Sequence, residues 1–211
     1  KVKIPHIFFD TETIPYGQHK SFIIIMKYRD ETNKIITKVF YDEDCGKKML
    51  FWVSENVNYD KENGIKLIAH NIGYDFRFIG KYVSIKSLME RGSMMLGGEC
   101  NFLMNKKNKG TLKIKLQDSY ALIPEKLSKF PNMFNLESEK EFIPYKLYTN
   151  KNVETKYVSL NKCLKECENQ SKANHIEDGK NTIEEDKKLF LDNCNKWNCI
   201  ENDKINIIKY A

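Results

Sequence analysis

Asp10-Thr11-Glu12 ends the apolar run Ile4-Pro5-His6-Ile7-Phe8-Phe9. In a strand, residues i and i+2 point to the same face, so Asp10 and Glu12 stand side by side at its end. Two close carboxylates repel unless a cation lies between them. All-oxygen ligands of this kind suit Mg²⁺ or Mn²⁺. Alone, D-x-E equally suits a strand running into a polar turn. A second carboxylate constellation weighs against that reading. His70-Asn71-Ile72-Gly73-Tyr74-Asp75 follows the short apolar strand 65–70 and opens a helix over 73–83. Phe78, Ile79 and Tyr82 follow Asp75 at i+3, i+4 and i+7, which buries that face and turns Asp75 toward the sheet end. Asn71 or Asp75 taken singly would also serve as an ordinary helix N-cap.

The elements that must position these groups follow from periodicity. Residues 4–10, 21–29 and 34–41 are β-branched and aromatic runs, the last two separated by Asp30-Glu31-Thr32-Asn33. They predict three consecutive strands. Residues 46–57 predict a helix with Met49, Leu50, Trp52 and Val53 on its apolar face. Residues 93–104 and 111–118 predict two strands around the basic tip Lys106-Lys107-Asn108-Lys109-Gly110. A short helix near 124–130 follows. This order predicts an α/β fold of the ribonuclease H-like type, a mixed sheet with flanking helices. Residues 1–150 form that core. Residues 151–182, rich in Asn, Lys and Glu, read as a partly helical insertion with a helix over 159–170. Residues 183–211 read as helical.

Composition narrows the setting. The net charge is +6, and residues 151–211 balance at 11 basic to 11 acidic, so the whole surplus lies in residues 1–150. A modest positive field suits a polyanionic partner. No apolar run approaches the roughly 20 residues a membrane helix needs. The chain starts at Lys1-Val2-Lys3-Ile4-Pro5 without an initiator Met or a signal-peptide core, which reads as a start within a longer protein. Six cysteines without a secretory signal read as free thiols in a reducing, intracellular compartment. Cys163 and Cys167, with Cys194, Cys199 and His175, have spacing permissive for zinc, and equally that of cysteines sharing a helix face.

The motifs together resemble a known family. FDTET followed by HNIGYD is similar to the first and second exonuclease motifs of family B DNA polymerases, particularly the protein-primed viral, phage, linear-plasmid and organellar group. Lys115-Leu116-Gln117-Asp118-Ser119-Tyr120-Ala121-Leu122-Ile123-Pro124 is similar to that group's K-x-x-D-S segment. Glu139-Lys140-Glu141-Phe142-Ile143-Pro144-Tyr145 is similar to its K-x-x-φ-x-Y segment. The resemblance implies a 3′→5′ proofreading exonuclease domain acting on the 3′ end of single-stranded or primer-template DNA through two Mg²⁺ or Mn²⁺ ions. Asp10, Glu12 and Asp75 would be three of four metal ligands. Thr13, Asn71, Tyr74, Phe78, Ser119 and Tyr120 would hold the DNA, and Lys140 and Tyr145 would act near the scissile phosphate. A polymerase domain of the same polypeptide and a terminal-protein primer are implied partners. Tyr120 departs from the family's usual Leu. The third motif, Y-x-x-x-D, is absent, since no Tyr here has Asp four residues on; it is expected shortly after Ala211.

Two rival readings remain at this point. His70 and Asp75 have the H-x-x-x-x-D spacing of histidine-type exonucleases, with His70 as general base. Alternatively, a ribonuclease H-like domain lacking its fourth carboxylate would bind nucleic acid without cutting it.

Overall fold

The computed structural model describes residues 4–17, 19–104, 110–136, 142–177 and 182–211. The chain divides into two compact units, residues 1–12 with 21–129, and residues 13–20 with 130–211.

The first unit is built on a seven-stranded sheet. Its elements in chain order are β1 (His6–Ile14), β2 (Lys20–Arg29), β3 (Ile35–Tyr41), α1 (Cys45–Asn56), β4 (Ile65–Ala69), α2 (Ile72–Ile79), β5 (Val83–Arg91), β6 (Met94–Leu103) and β7 (Thr111–Asp118). The strand order is β3-β2-β1-β4-β7-β6-β5. β1, β4 and β7 run parallel, with Ile7 beside Leu67 and Leu67 beside Leu116. β2–β3, β5–β6 and β6–β7 pair antiparallel. A meander followed by a helix and a parallel strand beside β1 is the ribonuclease H-like arrangement, as the element order implied. The core lies between α1, α2 and one sheet face, where Ile7, Phe9, Leu67, Ile114 and Leu116 meet Met49, Leu50, Val53, Ile72 and Ile79. β1 shows the cause in its alternation, with Ile7, Phe9 and Thr11 buried and His6, Phe8 and Asp10 exposed. Gly46 lets α1 approach α2, since a Cβ there would stand 2.5 Å from the Phe78 carbonyl oxygen. Trp52 is only partly buried. It closes the edge of this layer against Tyr28 and Phe40, each 6.4 Å away between ring centroids.

β5 has no counterpart among the expected strands. It is an edge strand, exposed along nearly all its length, and register shifts at Ile85/Ser87 and Met89/Glu90 erase its two-residue period. The hairpin tip at 105–109 lies outside the described residues.

The second unit contains α3 (Phe130–Phe134), α4 (Asn150–Thr155), β8 (Tyr157–Ser159), α5 (Leu160–Glu177), α6 (Ile183–Lys196), β9 (Ile200–Glu201), β10 (Lys204–Asn206) and α7 (Ile207–Tyr210). α6 starts with a capping box formed by Thr182 and Glu185. The expected helix does not continue through 211. Glu201 pairs with Lys204 across Asn202-Asp203, and both turn residues have positive φ, 47° and 59°. Two such residues make a tight hairpin that Asn and Asp tolerate, so β9 and β10 replace the helix and join β8 in a three-stranded sheet. Among the described residues no helix is long and apolar enough to cross a membrane.

Candidate active site

Asp10 is exposed on the β1 face that also carries Glu12, which is half-buried. Thr11 points the other way, into the fold, and its amide donates to Asp10 Oδ1 at 3.1 Å. Asp75, in the first turn of α2, is 3% exposed. Burial pushes its carboxyl up to about 7, and the negative charge of Asp10 adds to the shift, while the backbone amide of Thr11 opposes it. Thus Asp10, Thr11 and Asp75 meet where the end of β1 faces the start of α2. Asp75 Oδ1 and Thr11 Oγ1 are both buried without a hydrogen-bond partner.

These residues fit a divalent cation in part. A buried carboxyl with an orphaned oxygen, facing a second carboxylate, is the arrangement that a shared cation relieves, and the donors are all oxygen. Convergence of the full set Asp10, Glu12 and Asp75 is not seen. Among the described residues no three His, Cys, Asp or Glu side chains form a group that could hold a metal ion. Glu12 has an interaction of its own.

The start of α2 is organised by a residue that the sequence did not mark as part of the site. Asn71 stands at the N-cap with a left-handed backbone, φ 66° and ψ 53°, and its side chain makes no capping bond. Asp118, at the end of β7 and 1% exposed, supplies the cap instead. Its Oδ1 accepts from the amides of Asn71 at 2.8 Å, Ile72 at 3.4 Å and Tyr120 at 3.0 Å. Parallel pairing of Ala69 with Asp118 brings the two strand ends together. The signal was present in the K-x-x-D-S segment, but the sequence could not say that this Asp caps a helix some 45 residues earlier. Asp118→Ala should strand three amides and lower stability by about 2–3 kcal/mol, whereas Asp118→Asn keeps the acceptor and should cost less. Urea unfolding of the two variants checks this, and equal losses would refute the cap.

The remaining candidates distribute as follows. His70 Nδ1 lies 3.1 Å from Ser119 Oγ and its Nε2 lies 3.0 Å from the Glu125 carbonyl oxygen. Its ring meets Tyr120 edge-on at 5.3 Å. With both nitrogens engaged, His70 ties the loop after β7 to the end of β4, a structural duty that disfavours the general-base reading. Asn71 is exposed and Tyr74 half-buried. Phe78 is only 8% exposed and packs edge-on beneath Tyr74 at 5.6 Å, so it buttresses Tyr74 rather than offering a stacking face. Arg77 covers the Tyr74 ring at 5.8 Å. Thr13 belongs to β1. Tyr145 is 42% exposed in a short 3₁₀ turn and its amide donates to Gln170 Oε1. Lys140 lies outside the described residues. Cys163, Cys167, Cys194 and Cys199 are buried, unbridged thiols. Burial pushes Cys163 and Cys167 up to about 12; the side chain of His175 lies outside the described residues.

Residues 55–207 match the family model for DNA polymerase type B, organellar and viral. The chain belongs to this family of type B DNA polymerases. A comparison with curated proteins found no match. Among solved structures, Phi29 DNA polymerase complexed with primer-template DNA and incoming nucleotides is 14% identical with a TM-score of 0.48, covering 68% of this chain and 25% of the other. Phi29 DNA polymerase with primer-template DNA is also 14% identical, at a TM-score of 0.47 and covering 68% and 26%. Its complex with single-stranded DNA is 15% identical, at 0.44 and the same coverage. The chain spans about a quarter of the length of these polymerases.

Proposed function

We propose that this type B polymerase segment is a 3′→5′ exonuclease domain that removes the terminal nucleotide of single-stranded DNA. The observation that supports the reading is the opposition of Asp10 to the buried Asp75, whose orphaned oxygen and raised pKa a bound cation would relieve. Asp10 and Asp75 would hold the first ion, and Glu12, on the face of β1 that carries Asp10, would complete the set once charge repulsion is relieved. Bound Mg²⁺ or Mn²⁺ would supply water activation and stabilise the leaving 3′ oxygen. Tyr74 would stack on the terminal base and Phe78 would hold Tyr74 in place, a sequence-tolerant grip. The exposed Asn71 amide can donate to and accept from sugar or phosphate. Lys140 and Tyr145 are assigned to the scissile phosphate by resemblance.

The absence of a ready three-ligand group among the described residues favours one second reading, a module that binds DNA without cutting it. The full-length polypeptide separates the two. With Mg²⁺ or Mn²⁺ it should release nucleoside 5′-monophosphates from single-stranded DNA, and with EDTA it should not. Binding without any release under either condition would leave the non-cutting module.

A further inference from the structure

Asp118 holds more than a helix cap needs. Its Oδ1 takes the amides of Asn71 and Ile72 at the start of α2, at 2.8 and 3.4 Å. Its third donor, the Tyr120 amide at 3.0 Å, belongs to another segment, the loop leaving β7. One carboxylate oxygen therefore spans two stretches of chain, with Asn71 on one side and Ser119 and Tyr120 on the other. Asn71 depends on that tie. Its left-handed backbone, φ 66° and ψ 53°, is one that side-chain-bearing residues seldom adopt, and its own side chain makes no capping bond. The loop is fastened to the end of β4 as well. The Ser119 amide donates to the Ala69 carbonyl oxygen at 2.9 Å, the Ser119 hydroxyl lies 3.2 Å from the same oxygen, and His70 Nδ1 lies 3.1 Å from that hydroxyl. The second carboxylate oxygen shows what the arrangement costs. Asp118 is 1% exposed, and its Oδ2 is buried without a hydrogen-bond partner. A Ser or Thr hydroxyl would cap a helix without burying a charge. Three amides drawn from two segments call for the stronger acceptor.

We propose that Asp118 is a positioning residue for the 3′ end of the DNA. It fixes Asn71 relative to the Ser119-Tyr120 turn, the two sides between which the terminal nucleotide enters, and it touches neither nucleotide nor metal. The inference rests on the exonuclease reading for the identity of what enters. Positioning of this kind acts on contacts made alike before and during cleavage, so its loss is seen in KM and leaves kcat in place. A role in the chemistry would be seen in kcat, and a merely structural role only in the unfolding curve.

Steady-state digestion of single-stranded DNA by the full-length polypeptide with Mg²⁺, below the onset of unfolding of each variant, tests this. Asp118→Ala should raise KM about tenfold and keep kcat within about twofold. Asp118→Asn, which keeps an acceptor for the three amides, should keep both within about twofold. Asp118→Ser serves in place of the alanine variant if that one does not fold, with the same rise in KM expected. An unmoved KM in a folded Ala or Ser variant would overturn the positioning role, as would a fall in kcat at constant KM or an equal rise in KM for Asp118→Asn. If the unsubstituted polypeptide digests no DNA, the exonuclease reading fails. The same variants are then compared by fluorescence anisotropy in EDTA, with a labelled oligothymidylate of about four nucleotides. There a Kd about tenfold weaker for Asp118→Ala, restored by Asp118→Asn, supports the positioning role, and equal Kd values overturn it.

Discussion

In the full-length polypeptide, Asp10→Ala combined with Glu12→Ala should lower release of nucleoside monophosphates from single-stranded DNA by at least about a thousandfold. The magnitude follows from what these side chains do in the proposed site. No step has a substitute donor, since the other carboxylate there, Asp75, is buried and holds its proton up to about pH 7 without a cation. Folding should survive, because Asp10 is exposed and Glu12 half-buried, and neither contributes to the core layer. Removing Asp10 also takes away the charge that helps raise Asp75, so the variant's fold should lose nothing at neutral pH. Chromatography of the released mononucleotides with Mg²⁺ present measures the effect. Digestion at the unsubstituted rate by a folded double variant would end the assignment of these carboxylates.

The pair Asp10 and Asp75 is legible in the amino-acid sequence because period two and period 3.6 each fix a direction. A carboxylate at the end of an alternating strand has to share the face of its i+2 neighbour. One in the first turn of an amphipathic helix, with Phe78 and Ile79 behind it, has to turn inward. Three features escape the sequence for different physical reasons. Asp118 acts through a pairing between β4 and β7, and which strands become neighbours is a tertiary fact that no local pattern encodes. Phe78 has a composition suited to stacking, but it is buried and packs edge-on against Tyr74. β5 has no burial to impose a period, so its bulged, exposed backbone leaves no alternation to read. The hairpin at Asn202-Asp203 is another case. Its turn signal is in the sequence, but the apolar spacing from Leu189 to Ile208 suggests a single helix, and two residues with positive φ decide otherwise.

Asp75→Asn should stabilise the protein while abolishing the proposed activity, and the gain should depend on pH. The native carboxyl is raised from 3.8 to about 7. Between these values the folded protein retains a proton that the unfolded chain has released. The unfolded state therefore binds fewer protons, and stability falls as pH rises through this window. Below about pH 4 both states are protonated and the penalty is absent. Above pH 7 it is complete, at roughly 4 kcal/mol for a shift of about three units. An amide carries no charge and can donate to the orphaned Thr11 Oγ1, so Asp75→Asn should recover about 2–4 kcal/mol at pH 8 and little at pH 4. A divalent cation offers the unsubstituted protein the same relief by replacing the proton. Mn²⁺ should therefore raise its unfolding temperature at pH 8 and leave that of Asp75→Asn unmoved. Thermal unfolding from pH 4 to pH 8, with and without Mn²⁺, gives all four quantities. A profile that is flat with pH and identical in the two proteins would mean that Asp75 is neither held near Asp10 nor deprived of water, and the cation site would go with it. The predicted gain also has a functional meaning. A carboxylate in a place that destabilises the fold at neutral pH, where an amide would serve better, is what the proposed cation site requires.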